Sequence, residues 1–423
     1  MSTIGVELKI AGIPIPIDSF SVSGSSSGST GHTQASTGMA RLEAAGIDLV
    51  AMAVKSPTAL PLDIFLTEDD AVTQIFSGEY LSASFDYAGT SVVIHARDWS
   101  GPLVDQRRVL VSILGGNVGA LAPSEEKTSG VETQHQKVSQ IVTAIAKQFS
   151  LIPDLRIAKG ADPDIGTIFG TSSDTILTTT PQSLWEILNR LARDTGNIVY
   201  TTPQKHLVFG PPGAGLQTIP ITWLMNPIPD GSFGALALSI DHNPRRNSSF
   251  QVVVLSYDPT VSKVTTGRSY VIGSNFSTND KATVRPGLWS GQQARSILNA
   301  TSTPSGNPGT DKNNKVPIYT FHVDGLTQAQ ADQRAQAIAL DISKRELIAN
   351  AKIRCLPSVQ PANPVSLAGQ INQEFAAHQY FVTEYSHHYK LPTGAKVGEF
   401  HTMLKMLDRQ PIGSGESVST ATD

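Results

Sequence analysis

The sequence predicts a mainly β protein with α/β insertions. Charged residues make up 16% of its 423 residues, whereas a typical soluble domain has about 25%. The chain is also rich in turn-forming residues, with 35 glycines and 26 prolines. In addition, β-prone apolar segments recur along the chain and end at glycine-containing turns, which is typical of β-hairpins. A turn-rich β protein with so little charge is expected to cover much of its surface with partners.

Charge and hydropathy exclude several classes of function. The formal net charge is −4 and no lysine- or arginine-rich run occurs, so specific recognition of a nucleic-acid sequence is not expected. The single cysteine, Cys355, cannot form an intramolecular disulfide, and its apolar neighbours predict a small buried side chain. The N-terminus carries no basic segment, and no apolar run approaches the roughly 20 residues that cross a bilayer. We therefore expect folding in the cytoplasm, without membrane insertion.

Residues 1–112 have the pattern of a first β domain. Their strongest feature is a hairpin, in which strands at 80–87 and 92–96 flank the turn Ala88-Gly89-Thr90. The stretch 39–54 is compatible with either a helix or a strand.

Residues 113–215 have the pattern of a small α/β domain. One helix is predicted from Val138 to Phe149, because its apolar residues recur on one face. A second is predicted to begin with Thr180 as the N-cap and to end at Gly196. Two short strands that follow this helix are predicted to pair across the turn 201–205.

Residues 216–408 are predicted to form a second β domain with two special segments. Residues 273–315 are polar and rich in glycine, asparagine, serine, threonine and proline, which predicts a long loop. A capping box at Thr327 predicts a helix over 327–347. Its predicted buried stripe consists of Ala331, Ala335, Ile338 and Ile342.

The two outer segments share a similar order of predicted strands. In the first, a short strand at 62–66 precedes the long hairpin. In the third, a short strand at 364–367 precedes a hairpin over 380–389 and 399–406. No residue-level identity accompanies this order, yet it favours a duplicated unit. Residues 409–423 lack an apolar pattern and are predicted to form a flexible tail.

No motif predicts a catalytic residue, a cofactor or a metal site. The matches to hydrolase motifs at 24–28 and 124–127 lack the context that such motifs require. The acidic residues Glu43, Asp48, Glu68, Asp69 and Asp70 are predicted to be solvated surface groups. His387 and His388 would point to opposite faces of a strand, so they cannot bind one ion together. We expect them on a solvent-exposed polar strand, in a protein that is not an enzyme.

One polar cluster is a candidate subunit interface. Arg245, Arg246 and Asn247 follow Asn243-Pro244. Two arginines at such a position could donate forked hydrogen bonds to carboxylates or backbone carbonyls of a neighbouring subunit. An ordinary polar loop explains the cluster equally well.

Four stretches that occur in order along the chain carry a family resemblance. They are ARDWSGPLVD at 96–105, SLWEILNRLA at 183–192, NPRRN at 243–247 before SYDP at 256–259, and GLT at 325–327 with the alanines at 331, 335 and 339. Together they resemble the baseplate hub proteins of contractile-tailed phages of the Mu type. These proteins are related to the N-terminal part of the spike proteins of type VI secretion systems.

The resemblance implies both a fold and a role. The fold would have two similar β-barrel domains per chain plus a small α/β domain, and three chains would form a ring. The ring would join a hexameric tail tube to a trimeric central spike in the virion baseplate, assembled in the host cytoplasm. Baseplate wedge and tape-measure proteins are further implied partners, and DNA could pass through the lumen. A tail-associated peptidoglycan hydrolase and the spike of an injection machine remain alternatives.

Overall fold

The computed structural model describes residues 4–25, 39–44, 60–68, 71–86, 91–108, 137–157, 162, 182–242, 250–258, 263–272, 287–290, 318–322, 326, 328–343, 347–354, 356–391 and 399–408.

The first part of the chain forms a half-barrel. Its strands are β1 (Ile4–Ile10), β2 (Ile13–Ile15), β3 (Ser19–Ser25), β4 (Met39–Ala44), β5 (Pro61–Glu68), β6 (Ala71–Asp86) and β7 (Ser91–Asp98). They lie in the order β2-β1-β5-β6-β7-β4-β3. Alternate side chains such as Leu8, Ile64 and Ile94 point to one face and form a buried core. The hairpin predicted around the turn at 88–90 is confirmed, and the ambiguous stretch 39–54 begins as a strand.

A small α/β unit follows. Its elements are α1 (Gly101–Asp105), β8 (Arg107–Arg108), α2 (Val138–Gln148), β9 (Ile152–Leu155), β10 (Gln182–Ser183), α3 (Leu184–Asp194), β11 (Ile198–Thr201) and β12 (His206–Gly210). Helices α2 and α3 pack on the sheet β11-β12-β9, as their apolar faces require. Leu103 of α1 is buried in the same core, upstream of the boundary predicted at 113.

Helix α3 begins later than predicted. Ser183 is its N-cap and accepts a hydrogen bond from the Glu186 N–H at 3.0 Å, while the Glu186 carboxylate accepts one from the Ser183 N–H at 2.8 Å. This reciprocal capping satisfies N–H groups that the first helical turn cannot pair. The predicted start at Thr180 is therefore wrong, whereas the end near Gly196 is confirmed by its positive φ of 71°.

The rest of the chain forms a closed barrel with an inserted sheet. The elements are β13 (Ile219–Trp223), β14 (Phe233–His242), β15 (Phe250–Asp258), β16 (Lys263–Ile272), β17 (Gly287–Ser290), β18 (Ile318–His322), α4 (Gln328–Ser343), β19 (Leu347–Ile353), β20 (Pro364–Gly369), α5 (Gln373–Ala376), β21 (Tyr380–Lys390) and β22 (Glu399–Asp408). The barrel order is β21-β20-β13-β14-β19-β22, and β22 pairs with β21 to close it. Strands β17-β16-β15-β18 form the inserted sheet. Residues 287–290 of the predicted 273–315 loop are thus a strand, and its other residues lie outside the described ranges.

Both barrels repeat one strand order. The series β3-β4-β7-β6-β5 corresponds, in the same order along the chain, to β14-β19-β22-β21-β20. Every neighbouring pair in both series is antiparallel. The long hairpins also match in detail, because β6 shifts register between Tyr80 and Ser82 and β21 does so between Val382 and Glu384. The predicted fold class of two similar barrel domains plus an α/β unit is confirmed.

The barrels differ at their sixth strand. In the half-barrel, β1 runs antiparallel to β5. In the closed barrel, β13 runs parallel to β20 and also pairs with β14, at Ile221 with Phe233 and Thr222 with Gly234. Together with the β21–β22 pairing, this pairing closes the second barrel, whereas no described strand closes the first.

Helix α4 packs closely on the inserted sheet. Ala331, Ala335 and Ala339 are fully buried, whereas Ile338 and Ile342 are only partly buried. A Cβ on Gly267 of β16 would overlap the Ala331 carbonyl, so the absence of a side chain there allows this approach. The predicted stripe is confirmed at its alanines, and Ala339 takes the place of Ile338. The helix ends at Ser343 and β19 begins at residue 347, so the predicted end at 347 is too late.

Substitution to aspartate should lower the free energy of unfolding by different amounts on the two sides of α4. Ala335→Asp places a carboxylate in the apolar contact with the sheet and should lower the free energy of unfolding by several kcal/mol. Ile338→Asp should cost less, because that side chain is only partly buried. Urea unfolding of both variants, with the exposed Gln333→Asp as the control, measures the difference. Equal losses at residues 335 and 333 would contradict the burial of α4.

Candidate assembly interface

The two barrels are joined by one strand pair. Ser19 to Ser25 of β3 pair antiparallel with Lys390 to Glu384 of β21. This pairing merges the half-barrel and the closed barrel into one sheet of 13 strands. Because β21 pairs with β20 only at Tyr380 and Phe381, the rest of its edge is available to β3.

The hairpin of β21 and β22 contributes to both cores. Its outer end places Tyr389 and Phe400 in the half-barrel core, and its inner end places Val382 and Leu404 in the closed-barrel core. Phe20 of β3 stacks on Tyr389 with a ring-centroid distance of 5.5 Å and lies 6.3 Å from the Phe400 ring. The relative orientation of the barrels is therefore fixed by a buried aromatic cluster as well as by hydrogen bonds.

His387 lies in this junction and is buried. It is 1% exposed, its Nδ1 is 3.0 Å from the Thr402 hydroxyl, and its ring stacks on Phe400 at 5.7 Å. Burial lowers the pKa of His387 to about 3, with a smaller contribution from His388. His388 points to the opposite face, as predicted, and stacks on His401 at 5.0 Å. The predicted exposed strand is wrong at His387, because β21 is shared by two barrels.

Acid should destabilise the protein through His387. The unfolded chain binds a proton near pH 6.5, whereas the folded imidazole resists protonation down to about pH 3. Stability is therefore lost as the pH falls from 6.5 toward 3, by up to about 1.4 kcal/mol per unit. His387→Gln should remove this part of the pH dependence, whereas the exposed His322→Gln should retain it. Unfolding free energies measured between pH 7 and 4.5 test this, and identical slopes in all three proteins would contradict it.

A second junction attaches the α/β unit to the half-barrel. The Asp98 carboxylate, at the end of β7, accepts hydrogen bonds from the Thr201 hydroxyl at 2.9 Å and the Ser100 N–H at 3.1 Å. Trp99 donates its indole N–H to the Ser77 hydroxyl at 3.1 Å, and the Lys205 ammonium lies 3.9 Å from the Trp99 ring centroid. These residues belong to the stretch 96–105, the first of the four that carry the family resemblance. Their polar side chains hold the half-barrel and the α/β unit together.

The α/β unit also touches the closed barrel. Ile198, Tyr200 and Val208 form a small apolar cluster with Ala362, which follows β19. The Tyr200 hydroxyl lies 3.5 Å from the Gln360 side-chain oxygen, and burial raises the pKa of Tyr200 to about 12. Contacts on both sides therefore fix the α/β unit against both barrels.

The described residues expose apolar side chains at two places that lie far apart in the sequence. The connection between β13 and β14 exposes Leu224, Met225 and Ile228, and β14 exposes Leu236. On the inserted sheet, every residue of β18 is exposed, including Ile318 and Tyr319. Exposed apolar groups of this kind are typical of protein–protein contact sites.

Among the strand edges that have no described neighbour, one belongs to β6 and one to β14. Pairing between β5 and β6 ends at Glu79, and no described strand lies along that side of β6 from Leu81 to Asp86. Pairing between β13 and β14 ends at Gly234, and no described strand lies along that side of β14 up to His242. Open edges present backbone donors and acceptors to a partner strand. Neither open edge was predicted from the sequence, because periodicity does not show which strands become neighbours.

Several predicted sites lie outside the described residues. Arg245, Arg246 and Asn247 fall in the gap between β14 and β15, and Cys355 and the 124–127 motif are also outside. Within the described ranges, no group of three potential metal ligands lies close enough to hold an ion. No helix in those ranges is long and apolar enough to span a bilayer.

Comparison with known proteins gives a match in structure and none in sequence. No protein-family model matches the sequence, and no curated protein is significantly similar to it. The tail protein from Neisseria meningitidis MC58 superimposes with a TM-score of 0.58 at 11% identity, covering 97% of each chain. The 43 kDa tail protein of prophage MuSo2 from Shewanella oneidensis gives 0.53 at 11% identity, covering 96% of this chain and 98% of that one. The chain has the fold of phage tail proteins.

A third structure is more distant. It is an Escherichia coli component of the type VI secretion system, described as similar to the T4 tail proteins gp27 and gp5. It matches with a TM-score of 0.49 at 9% identity and covers 96% of this chain and 77% of that one. The tail-protein fold of the first two matches accounts for the barrels and the α/β unit across nearly the whole chain.

Proposed function

We propose that this protein is the structural baseplate hub of a contractile phage-type tail. Three chains form a ring that joins the hexameric tail tube to the trimeric central spike, and its work is binding without bond chemistry. The observation that carries the proposal is the repeated strand order, β3-β4-β7-β6-β5 and β14-β19-β22-β21-β20, within a tail-protein fold. A chain with two equivalent units allows three copies to present six similar positions on one face.

The junction between the barrels supports this mechanism. A symmetry adapter has to hold its two units at a fixed angle, because a flexible pair would not match a rigid tube ring. Here a continuous strand pair and the Phe20–Tyr389–Phe400 cluster fix that angle. The exposed apolar residues of the β13–β14 connection and of β18 offer surfaces for the tube, spike, wedge or tape-measure proteins. Arg245, Arg246 and Asn247 remain proposed contacts to a neighbouring subunit.

The location of the protein in a particle tests the proposal. An antibody against this chain should label purified tails at the junction of tube and spike, seen by immunogold electron microscopy. Deletion of the gene should leave tubes without an attached spike. Labelling along the whole tube or on the sheath would contradict a hub. Cell-wall clearing by the purified protein, measured as a fall in turbidity, would favour the hydrolase alternative.

A further inference from the structure

A pair of histidines lies on the outer face of the closed barrel, beside the junction with the half-barrel. His388 of β21 and His401 of β22 are directly opposite each other in the strand register. Their rings stack with a centroid distance of 5.0 Å and an interplanar angle of 22°. Both side chains are only partly buried, so the pair can be reached from solvent.

A lysine on the next strand extends this pair to a cluster. Lys352 of β19 lies opposite Met403 of β22, two residues along that strand from His401. Such diagonal neighbours are about 7 to 8 Å apart, which is within reach of a long side chain. Burial lowers the pKa of His388 and of His401, and the nearby Lys352 ammonium lowers both further. The cluster therefore lies in a positive local field.

Hydroxyl groups lie on two sides of His388. The Ser386 hydroxyl, on the same strand, is 3.0 Å from the His388 Nε2. Ser21 of β3 lies opposite His388 in the strand pair that joins the two barrels. An ammonium, two imidazoles and two hydroxyls thus lie on four neighbouring strands, and each of these groups can donate a hydrogen bond.

The carboxylates on this face do not neutralise Lys352. Glu384 of β21 is ion-paired with Lys405 of β22 at 2.9 Å, and Glu399 of β22 lies opposite Lys390 of β21 in the register. Strand β3 contributes only serines to this face. Among the residues that the structure describes, Lys352 has no ion-pair partner. Its charge is therefore available to a ligand.

The equivalent backbone positions of the half-barrel carry no basic residue. The matching register shifts align β6 with β21 and β7 with β22, and β4 then aligns with β19. By this alignment, the positions of Lys352, His388 and His401 correspond to Glu43, Asp86 and Ser91. Acidic residue types replace lysine and histidine, so the cluster is a feature of the second barrel alone and not of the duplicated fold.

We propose that Lys352, His388 and His401 form a binding site for a phosphate-type oxyanion, with one site per chain. A tetrahedral oxyanion accepts hydrogen bonds from ammonium, imidazole and hydroxyl donors at the same time. A carboxylate fits less well, because its planar pair of oxygens matches a guanidinium fork, which none of these three residues provides. A metal ion is disfavoured, because it would lie beside the unpaired Lys352 ammonium.

Anion binding and protonation of the two imidazoles should strengthen each other. A bound anion stabilises the imidazolium form, so it should raise the pKa of His388 and of His401 from their lowered values. By linkage, the anion should bind more tightly as the pH falls from about 8 to about 6, because more of the imidazole is then protonated.

A sulfate titration tests the site. Sulfate is tetrahedral and keeps its charge over this pH range, and chloride holds the ionic strength constant. The pKa values of the histidines are measured by NMR on isotope-labelled protein, with His388→Asn and His401→Asn to assign the signals. We expect sulfate to raise both pKa values by at least about half a unit, which is about threefold tighter binding to the protonated form. The signal of the exposed His322 should not respond.

Matched variants separate this site from general charge effects. Lys352→Glu gives the site the residue type of the equivalent half-barrel position and should abolish the sulfate effect. Lys352→Gln removes only the charge and should weaken the effect, which keeps the test valid if the glutamate variant does not fold. Lys147→Glu makes the same change of charge on the exposed side of α2 and should leave the effect intact. No shift at either histidine, or an undiminished effect in Lys352→Gln, would overturn the site.

A second titration distinguishes the sources of the phosphate group. Short single-stranded DNA is compared with an oligonucleotide of the same sequence whose methylphosphonate backbone is uncharged. Shifts of both histidine signals by the DNA alone would assign the site to a nucleic-acid backbone. Shifts by inorganic phosphate without any by DNA would assign it to the free anion. Equal shifts by the DNA and its uncharged analogue would contradict an anion site.

Discussion

Replacing Gly78 with alanine is expected to destabilise the half-barrel by about 3 kcal/mol. A Cβ at this position of β6 would overlap the carbonyl oxygen of Arg97 and lie 2.7 Å from its carbonyl carbon. It would also lie 2.9 Å from the Cα of Asp98. These atoms belong to the backbone of β7, which pairs with β6. The overlap can therefore be removed only if the two strands move apart near Gly78. The loss is measured as the free energy of unfolding in urea.

A second strand glycine provides a matched control. The nearest heavy atom to a Cβ on Gly5 of β1 would be the Thr67 Cβ at 3.6 Å, which is an ordinary contact. Gly5→Ala should therefore leave stability unchanged or raise it slightly, since alanine restricts the unfolded chain more than glycine does. Equal effects at Gly5 and Gly78 would show that the two strands are not as close as described.

Replacing Phe20 with alanine is expected to cost about 3 to 5 kcal/mol. The side chain is 3% exposed and packs on Tyr389 and Phe400, which come from the hairpin shared by both barrels. Because this cluster joins the barrels, the loss should include coupling between them. A double-mutant cycle with Tyr389→Ala should give an interaction free energy of at least about 0.5 kcal/mol.

An exposed aromatic residue provides the control for this cycle. Tyr257 on β15 is 46% exposed and lies on the inserted sheet. Tyr257→Ala should cost far less than Phe20→Ala, and the two losses should add. Strictly additive losses for Phe20 and Tyr389 would contradict the role of the cluster in joining the barrels.

Features set by neighbouring residues were predictable from the sequence. Helix α2 was found because its apolar residues recur on one face, and the β6–β7 hairpin was found from its two strands and glycine turn. The start of α3 was placed at Thr180 although Ser183 and Glu186 carry the capping-box spacing. That spacing is a local signal of a helix start, and the prediction overlooked it.

Features set by distant residues were not predictable. Whether β3 has a neighbour on its open side depends on β21, near the other end of the chain. For that reason His387 was expected to be exposed and is buried, and the open edges of β6 and β14 were not foreseen. The order of a short strand followed by a long hairpin, found in both outer segments, did predict the duplication, because each copy retains that order.

The copy number and arrangement of the chain in an assembled tail test the central claim most directly. We expect cryo-electron microscopy of the particle to show three chains in one ring between the tube and the spike. Half-barrels and closed barrels should alternate around that ring, related by rotations of about 60°. Six copies of the chain in the ring, or three copies in which only one barrel of each chain faces the tube, would contradict the symmetry-adapter account.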